Sequence, residues 1–187
     1  MVQNIWKDGV FGLIVGDALG VPVEFSSREE CEHNPVIGMR AYGTHNQPAG
    51  TWSDDSSMTL ATLDSIKQKG KIDYKDLMDK FTEWCLYADY TPFQEVFDIG
   101  VATSRAIIQH GKGTDPIDCG GKTEWDNGNG SLMRILPVCL YLYNRQKMIC
   151  TSENESIYLI HNVSALTHAH LRSQIACGIY YFMVKSV

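Results

Sequence analysis

The sequence predicts an all-α domain, on three observations. Apolar residues recur at a 3.6-residue period along most of the chain, alternating strand-like runs are scarce, and Gly, Pro and Asn gather mainly between the periodic stretches. In chain order, the first helix is expected at about Ile5 to Leu19, where Gly12, Gly16 and Gly20 fall on one helical face and predict close approach by another helix or a ligand. A second is expected at Ser56 to Lys67. The clearest runs from Asp73 to Ala88, with Leu77, Met78, Phe81, Trp84, Cys85 and Ala88 forming a stripe that closes only at helical spacing. Val96, Phe97, Gly100, Val101, Ile107 and Ile108 repeat the pattern less completely. Further helices are expected at Ser131 to Tyr143 and Glu153 to Leu166, and a last one carries Ile175, Ala176, Ile179, Phe182 and Met183. Loops are expected at Pro35 to Gly50, Gly111 to Pro116 and Cys119 to Gly130.

A chain of 187 residues is one domain's worth, and 44% hydrophobic content excludes a disordered chain. No apolar run approaches the roughly 18 residues of a membrane span, and the N-terminus lacks the basic and apolar regions of a secretion signal. The net charge of -6 and the absence of any Lys/Arg-dominated stretch exclude a phosphate-backbone footprint. Cys31, Cys85, Cys119, Cys139, Cys150 and Cys177 form no CxxC pair, so free thiols in a reducing cytoplasm are expected. The apolar pattern stops at Val187 without a cap or polar tail, which predicts a single domain, 1-187, that is incomplete, or one covered by a second chain.

Four stretches carry chemistry. In GTWSDDSSM, Ser53, Asp54 and Asp55 offer clustered oxygen ligands for a hard cation such as magnesium, although helix capping alone accounts for Ser and Asp there. In GDALGVPVEF, Asp17 and Glu24 are carboxylates in apolar company that need a partner or a task. In DNGNGSLMR, two Asn-Gly pairs ahead of a helical pattern are either turns or an anion-facing loop. In LTHAH, His168 and His170 are two apart and do not share a helix face.

Together, and in this order, GDALGVPVEF, GTWSDDSSM, FDIG, NGNGSLMR and LTHAH resemble the ADP-ribosylglycohydrolase family from about Gly9 to at least His170. The resemblance implies an all-α fold around a cleft with two divalent metals, Mg2+ or Mn2+, and hydrolysis of the bond joining ADP-ribose to an acceptor. It further implies that Ser53, Asp54 and Asp55 are metal ligands and that Glu24 and Asp98 are catalytic. Asn129, Gly130 and Ser131, with Met133 and Arg134 behind them, and His168 are implied to bind ADP-ribose. The FDIG match tilts the acceptor towards protein arginine, so ADP-ribose or an ADP-ribosylated protein is the expected partner.

One departure matters. Members of that family continue to a second acidic motif, Asp-x-Asp-Thr, that completes the metal site, whereas no Asp or Glu follows Glu155 here. Weak metal binding and slow or absent hydrolysis are therefore expected of these 187 residues alone. The alternative is a noncatalytic ADP-ribose-binding or structural relative, similar to crystallins of this fold that have lost activity.

Overall fold

The computed structural model describes residues 4–149 and 152–186. Among them are eight α-helices: α1 (Ile5–Gly20), α2 (Arg28–His33), α3 (Asp54–Lys69), α4 (Tyr74–Tyr87), α5 (Val101–Gly111), α6 (Leu136–Ile149), α7 (Glu153–Ala165) and α8 (Leu171–Lys185). No strand occurs among the described residues, only an isolated bridge between Gly121 and His168. No helix there is long and apolar enough to cross a membrane.

Two helices organise the packing. The α3 helix touches α1, α4 and α6, while α6 also touches α1, α7 and α8. The stripe on α4 behaves as its spacing requires: Leu77, Met78, Phe81 and Trp84 are buried, and Ala88 closes the helix in the left-handed region at φ 58°. Full burial of such side chains contributes roughly 1.5–3 kcal/mol each. The α3 helix ends on Gly70 at φ 65°, whose N–H donates to Ile66 O at 2.9 Å.

The expected boundaries fail where a breaker or an all-round apolar pattern intervenes. Residues 131–134 are turns, and α6 starts at Leu136. Pro137, which has no N–H to donate, fits only in the first turn. Similarly, Val96 and Phe97 lie in a loop, and the helix begins after Gly100. The capping box of Ser27 and Glu30 builds α2, which periodicity over so short a stretch does not reveal.

Two faces are corrected. A Cβ on Gly12, Gly16 or Gly20 would meet nothing within 4 Å, and it is Gly9 that admits Leu136 of α6. On α8 the buried side is Ser173, Cys177, Gly178 and Tyr181, leaving Ile175, Ile179, Phe182 and Met183 exposed. A helix apolar on every side has no polar face to say which stripe turns inward. Of the cysteines, Cys119, Cys139 and Cys177 are buried and Cys31 and Cys85 half-buried, all free, while Cys150 lies outside the described residues.

Candidate functional site

The site starts at the N-terminus of α3, whose first-turn N–H groups lack helical acceptors. Ser53 is the N-cap, its Oγ accepting from Asp55 N at 3.4 Å, so capping is part of its role. The other cap is Asp17, from the last turns of α1. Its carboxylate accepts from Ser53 N at 3.0 Å, Ser53 Oγ at 2.7 Å, Ser56 N at 3.0 Å and Ser56 Oγ at 2.6 Å. Asp17 thus has its partner, and the Ser53 hydroxyl lies between it, at 2.7 Å, and Asp55 Oδ2, at 3.4 Å. One lone pair on Ser53 Oγ stays available.

Asp54 and Asp55 are different. Burial, followed by the charges of Asp55, Asp98 and Asp17, pushes the Asp54 carboxyl up to about 8. Burial and the charges of Asp17 and Glu24 push Asp55 to about 6, against a hydrogen bond from Ser53. Among the described residues no Lys, Arg or His forms an ion pair with either. Helix capping does not explain a buried and a half-buried carboxylate that both resist ionisation, but a hard dication liganded by their oxygens would relieve both.

Glu24 follows a short turn after α1, and Asp98 precedes α5. His45, on the loop before α3, stands between them: its Nε2 is 2.7 Å from Glu24 Oε2 and 4.0 Å from Asp98 Oδ2. Burial raises the Glu24 pKa, His45 opposes that rise, and Asp98 adds to it. The imidazole packs beside Phe25 and Phe97, with ring centroids 6.0 and 5.2 Å away. The loop is held close: Thr44 N and Oγ1 donate to Pro22 O and Glu24 O at 3.1 and 2.6 Å. A Cβ on Gly43 would lie 1.8 Å from Pro22 O, so only glycine permits that approach. Phe25 and Asp98 both occupy the left-handed region, at φ 61° and 57°. Such strain concentrates at functional sites. Glu24, His45 and Asp98 bring three ligand atoms within 4.8 Å of one another, a second group able to approach a cation.

Across from these acids lies the Asn-Gly loop. Glu24, Asp54, Asp55 and Asp98 share one cleft of about 330 Å³ with the start of α5, Trp125, Gly128, Asn129, Gly130, Met133 and His168. Gly130 is confined, since a Cβ there would sit 2.7 Å from His168 Cε1 and 3.1 Å from Thr103 Oγ1. Burial and the Arg134 charge lower His168 to about 4, so its ring is neutral at ordinary pH.

The fold therefore brings Glu24, Asp54, Asp55, Asp98, Asn129, Gly130 and His168 to one cleft, with Ser53 just behind its carboxylates. Ser131 is not brought there: it is fully buried, its Oγ 2.9 Å from Ser164 Oγ and 3.6 Å from Cys177 Sγ. The chain turns inward after Gly130 to enter the core ahead of α6, and Arg134 is likewise fully buried behind the loop. His45, between Glu24 and Asp98, and the 87% exposed Trp125, which lines the cleft, adjoin the other cleft residues, and the sequence does not single them out. A lone histidine in a polar loop carries no periodic signal, and Trp125 sits in a stretch legible only as a turn.

The all-helical scaffold sets a cluster of carboxylates against a Gly-rich loop across one cleft, groups of the kind that can take a cation on one side and an anion on the other. The ADP-ribosylglycohydrolase family model matches residues 4–187, and the chain belongs to that family. It is 30% identical over 165 residues to the ADP-ribosylarginine hydrolase Tri1 of Pseudomonas putida (strain GB-1), covering 87% of this chain and 41% of that protein. It is 33% identical over 141 residues to the ADP-ribosyl-[dinitrogen reductase] glycohydrolase of Rhodospirillum rubrum, covering 69% of this chain and 42% of that one. A solved structure described as an ADP-ribosylglycohydrolase-related protein complex superposes with a TM-score of 0.73 at 30% identity, over 95% of this chain and 53% of its own. The chain spans about half the length of these relatives.

Proposed function

We propose that this chain forms the ADP-ribose-binding half of a hydrolase that cleaves the glycosidic bond between ADP-ribose and a modified acceptor, protein arginine being the first to test. The observation that carries the reading is the pairing, within one cleft, of the Asp54 and Asp55 carboxylates, neither in an ion pair among the described residues, with the Asn129–Gly130 loop. The acceptor rests on the names of the relatives.

Ser53, Asp54 and Asp55 would hold a divalent ion, Mg2+ or Mn2+, which when bound supplies charge neutralisation and Lewis acidity. The remaining work belongs to the chain. Glu24 and Asp98, whose oxygens lie within 4.8 Å of one another, are the carboxylates that serve as general acid or base when the bond to the acceptor breaks. His45 fixes both carboxylates relative to each other. Gly128, Asn129 and Gly130 present backbone to the pyrophosphate, and the exposed Trp125 offers a flat ring to the adenine.

Residues 1–187 act here as one domain, spanning about half the length of the relatives it matches. The exposed apolar residues of α8, together with Phe11 and Val15 on α1, form a surface that further structure would cover, the matched relatives being about twice as long. The free thiols support a reducing, cytoplasmic setting. A second reading, a noncatalytic ADP-ribose-binding relative, is favoured by the half-length match.

Calorimetric titration of ADP-ribose, with magnesium and with a chelator, tests the two. Binding that requires magnesium supports the hydrolase and leads to an ADP-ribosyl-arginine cleavage assay. Binding indifferent to chelation supports the noncatalytic reading, and no binding overturns both. Robust turnover by these 187 residues would contradict the expectation of slow or absent hydrolysis by them alone.

A further inference from the structure

Arg134 is wholly buried, yet no carboxylate pairs with it among the described residues, and its Nε and Nη1 have no hydrogen-bond partner there. Its guanidinium stacks 4.6 Å from the Phe81 ring centroid, and Nη2 donates to Val163 O at 3.2 Å and to Thr167 Oγ1 at 2.8 Å. A buried charge without a counter-charge costs several kcal/mol, and an apolar side chain of similar volume would fill the space without that cost. Packing therefore does not explain the arginine.

Its neighbours do. A guanidinium has donors and no acceptor, so Thr167 Oγ1 must accept in that contact, which leaves the threonine one hydroxyl proton to give. His168 Nδ1 lies 2.9 Å from the same oxygen, and no other acceptor for this proton is found among the described residues. Nδ1 must then carry a lone pair, and a neutral ring with Nδ1 bare carries its proton on Nε2. The ring is confined: it is buried, its backbone is held by His168 N donating to Ser164 O at 2.8 Å and Ser164 Oγ donating to His168 O at 3.0 Å, and Gly130 lies so close that an added Cβ would be 2.7 Å from Cε1. Nε2 is on the side of the Gly128–Gly130 loop and has no hydrogen-bond partner among the described residues.

We propose that Arg134 and Thr167 are positioning residues that lock His168 in the Nε2–H tautomer, so that it presents one uncharged donor to the cleft. The charges nearest the ring agree, since Arg134 and burial disfavour the imidazolium and only Asp126 opposes them. His168 thus binds an acceptor oxygen but does not shuttle protons, leaving acid–base work to the carboxylates. That the oxygen belongs to ADP-ribose rests on the function proposed above, whereas the tautomer does not.

The test is a two-bond 1H–15N correlation spectrum of the histidine side chains in the labelled chain, with a His168→Gln variant to identify the signal. A single Nε2–H tautomer that does not titrate from about pH 5.5 to about pH 8 is expected, a histidine ordinarily titrating near 6.5. An Nδ1–H ring, or one that protonates in that range, overturns the proposal without recourse to any other variant. Thr167→Val keeps the shape and removes the relay, and is expected to give mixed tautomers and about tenfold weaker ADP-ribose binding, with Thr167→Ser restoring both. A Thr167→Val spectrum matching the wild type overturns the relay. A locked tautomer in a chain that does not bind ADP-ribose would sustain the relay and remove the ligand.

Discussion

Neutralising Asp54 should stabilise the metal-free protein, by an amount that grows with pH. Its carboxyl is held at about 8 in the fold against 3.8 when unperturbed. The sign follows from proton binding: between those values the folded chain keeps a proton that the unfolded chain has released, so stability falls as pH rises, and the loss is absent below the unfolded value. At about pH 7 the penalty is about 4 kcal/mol and at about pH 5 about 2 kcal/mol, taking 1.36 kcal/mol per pH unit of difference. Asp54→Asn removes the ionisation and keeps the shape. Its direct effect on local hydrogen bonding is common to both conditions, so the difference between them isolates the charge. Urea unfolding with a chelator present should show the variant's advantage increasing by about 2–3 kcal/mol from about pH 5 to about pH 7. An effect of equal size at both would refute the claim that a buried, unpaired carboxylate stands at the start of α3.

Removing Asp17 should do the opposite: Asp17→Ala orphans the Ser53 and Ser56 donors and is expected to cost about 2–4 kcal/mol in the same measurement, a loss below about 1 kcal/mol counting against its capping role. Gly130→Ala drives a methyl into the His168 ring and should weaken ADP-ribose binding at least about tenfold by calorimetry, while Gly128→Ala, whose nearest new contact is 3.7 Å away, should change it little. Equal effects would remove the loop's close fit. His45→Ala deletes the hydrogen bond that holds the Glu24 pKa down, so a carboxyl 13C titration should show it rise further, and an unchanged or lower value would mean that the contact is not made in solution.

Much of the scaffold was written into local sequence, because each of those features is decided within a few residues. The α4 stripe closes at 3.6 residues only if one face is buried, and Ser53 with Asp54 and Asp55 announces a helix start whatever else it does. The motifs in register pointed to the family and to most of the residues that line the cleft. Where a segment was apolar all round, as α8 is, the spacing was legible but the inward face was not, since only the neighbours α6 and α7 choose it. Ser131 looked like part of the ligand loop and instead turns into the core beside Ser164 and Cys177, a choice made by the path into α6. Capping explained Ser53, but only the fold shows Asp54 buried and Asp55 half-buried, neither in an ion pair among the described residues. His45 between Glu24 and Asp98, and the chain from Arg134 through Thr167 to His168, join residues distant in sequence. Sequence alone determined most of the helices, though not α2 or every boundary, and the kinds of group available, because propensity, capping and periodicity are local. Tertiary structure decided which of those groups meet and which are left unpaired, because burial and electrostatic coupling depend on distances that neighbours in the chain do not set.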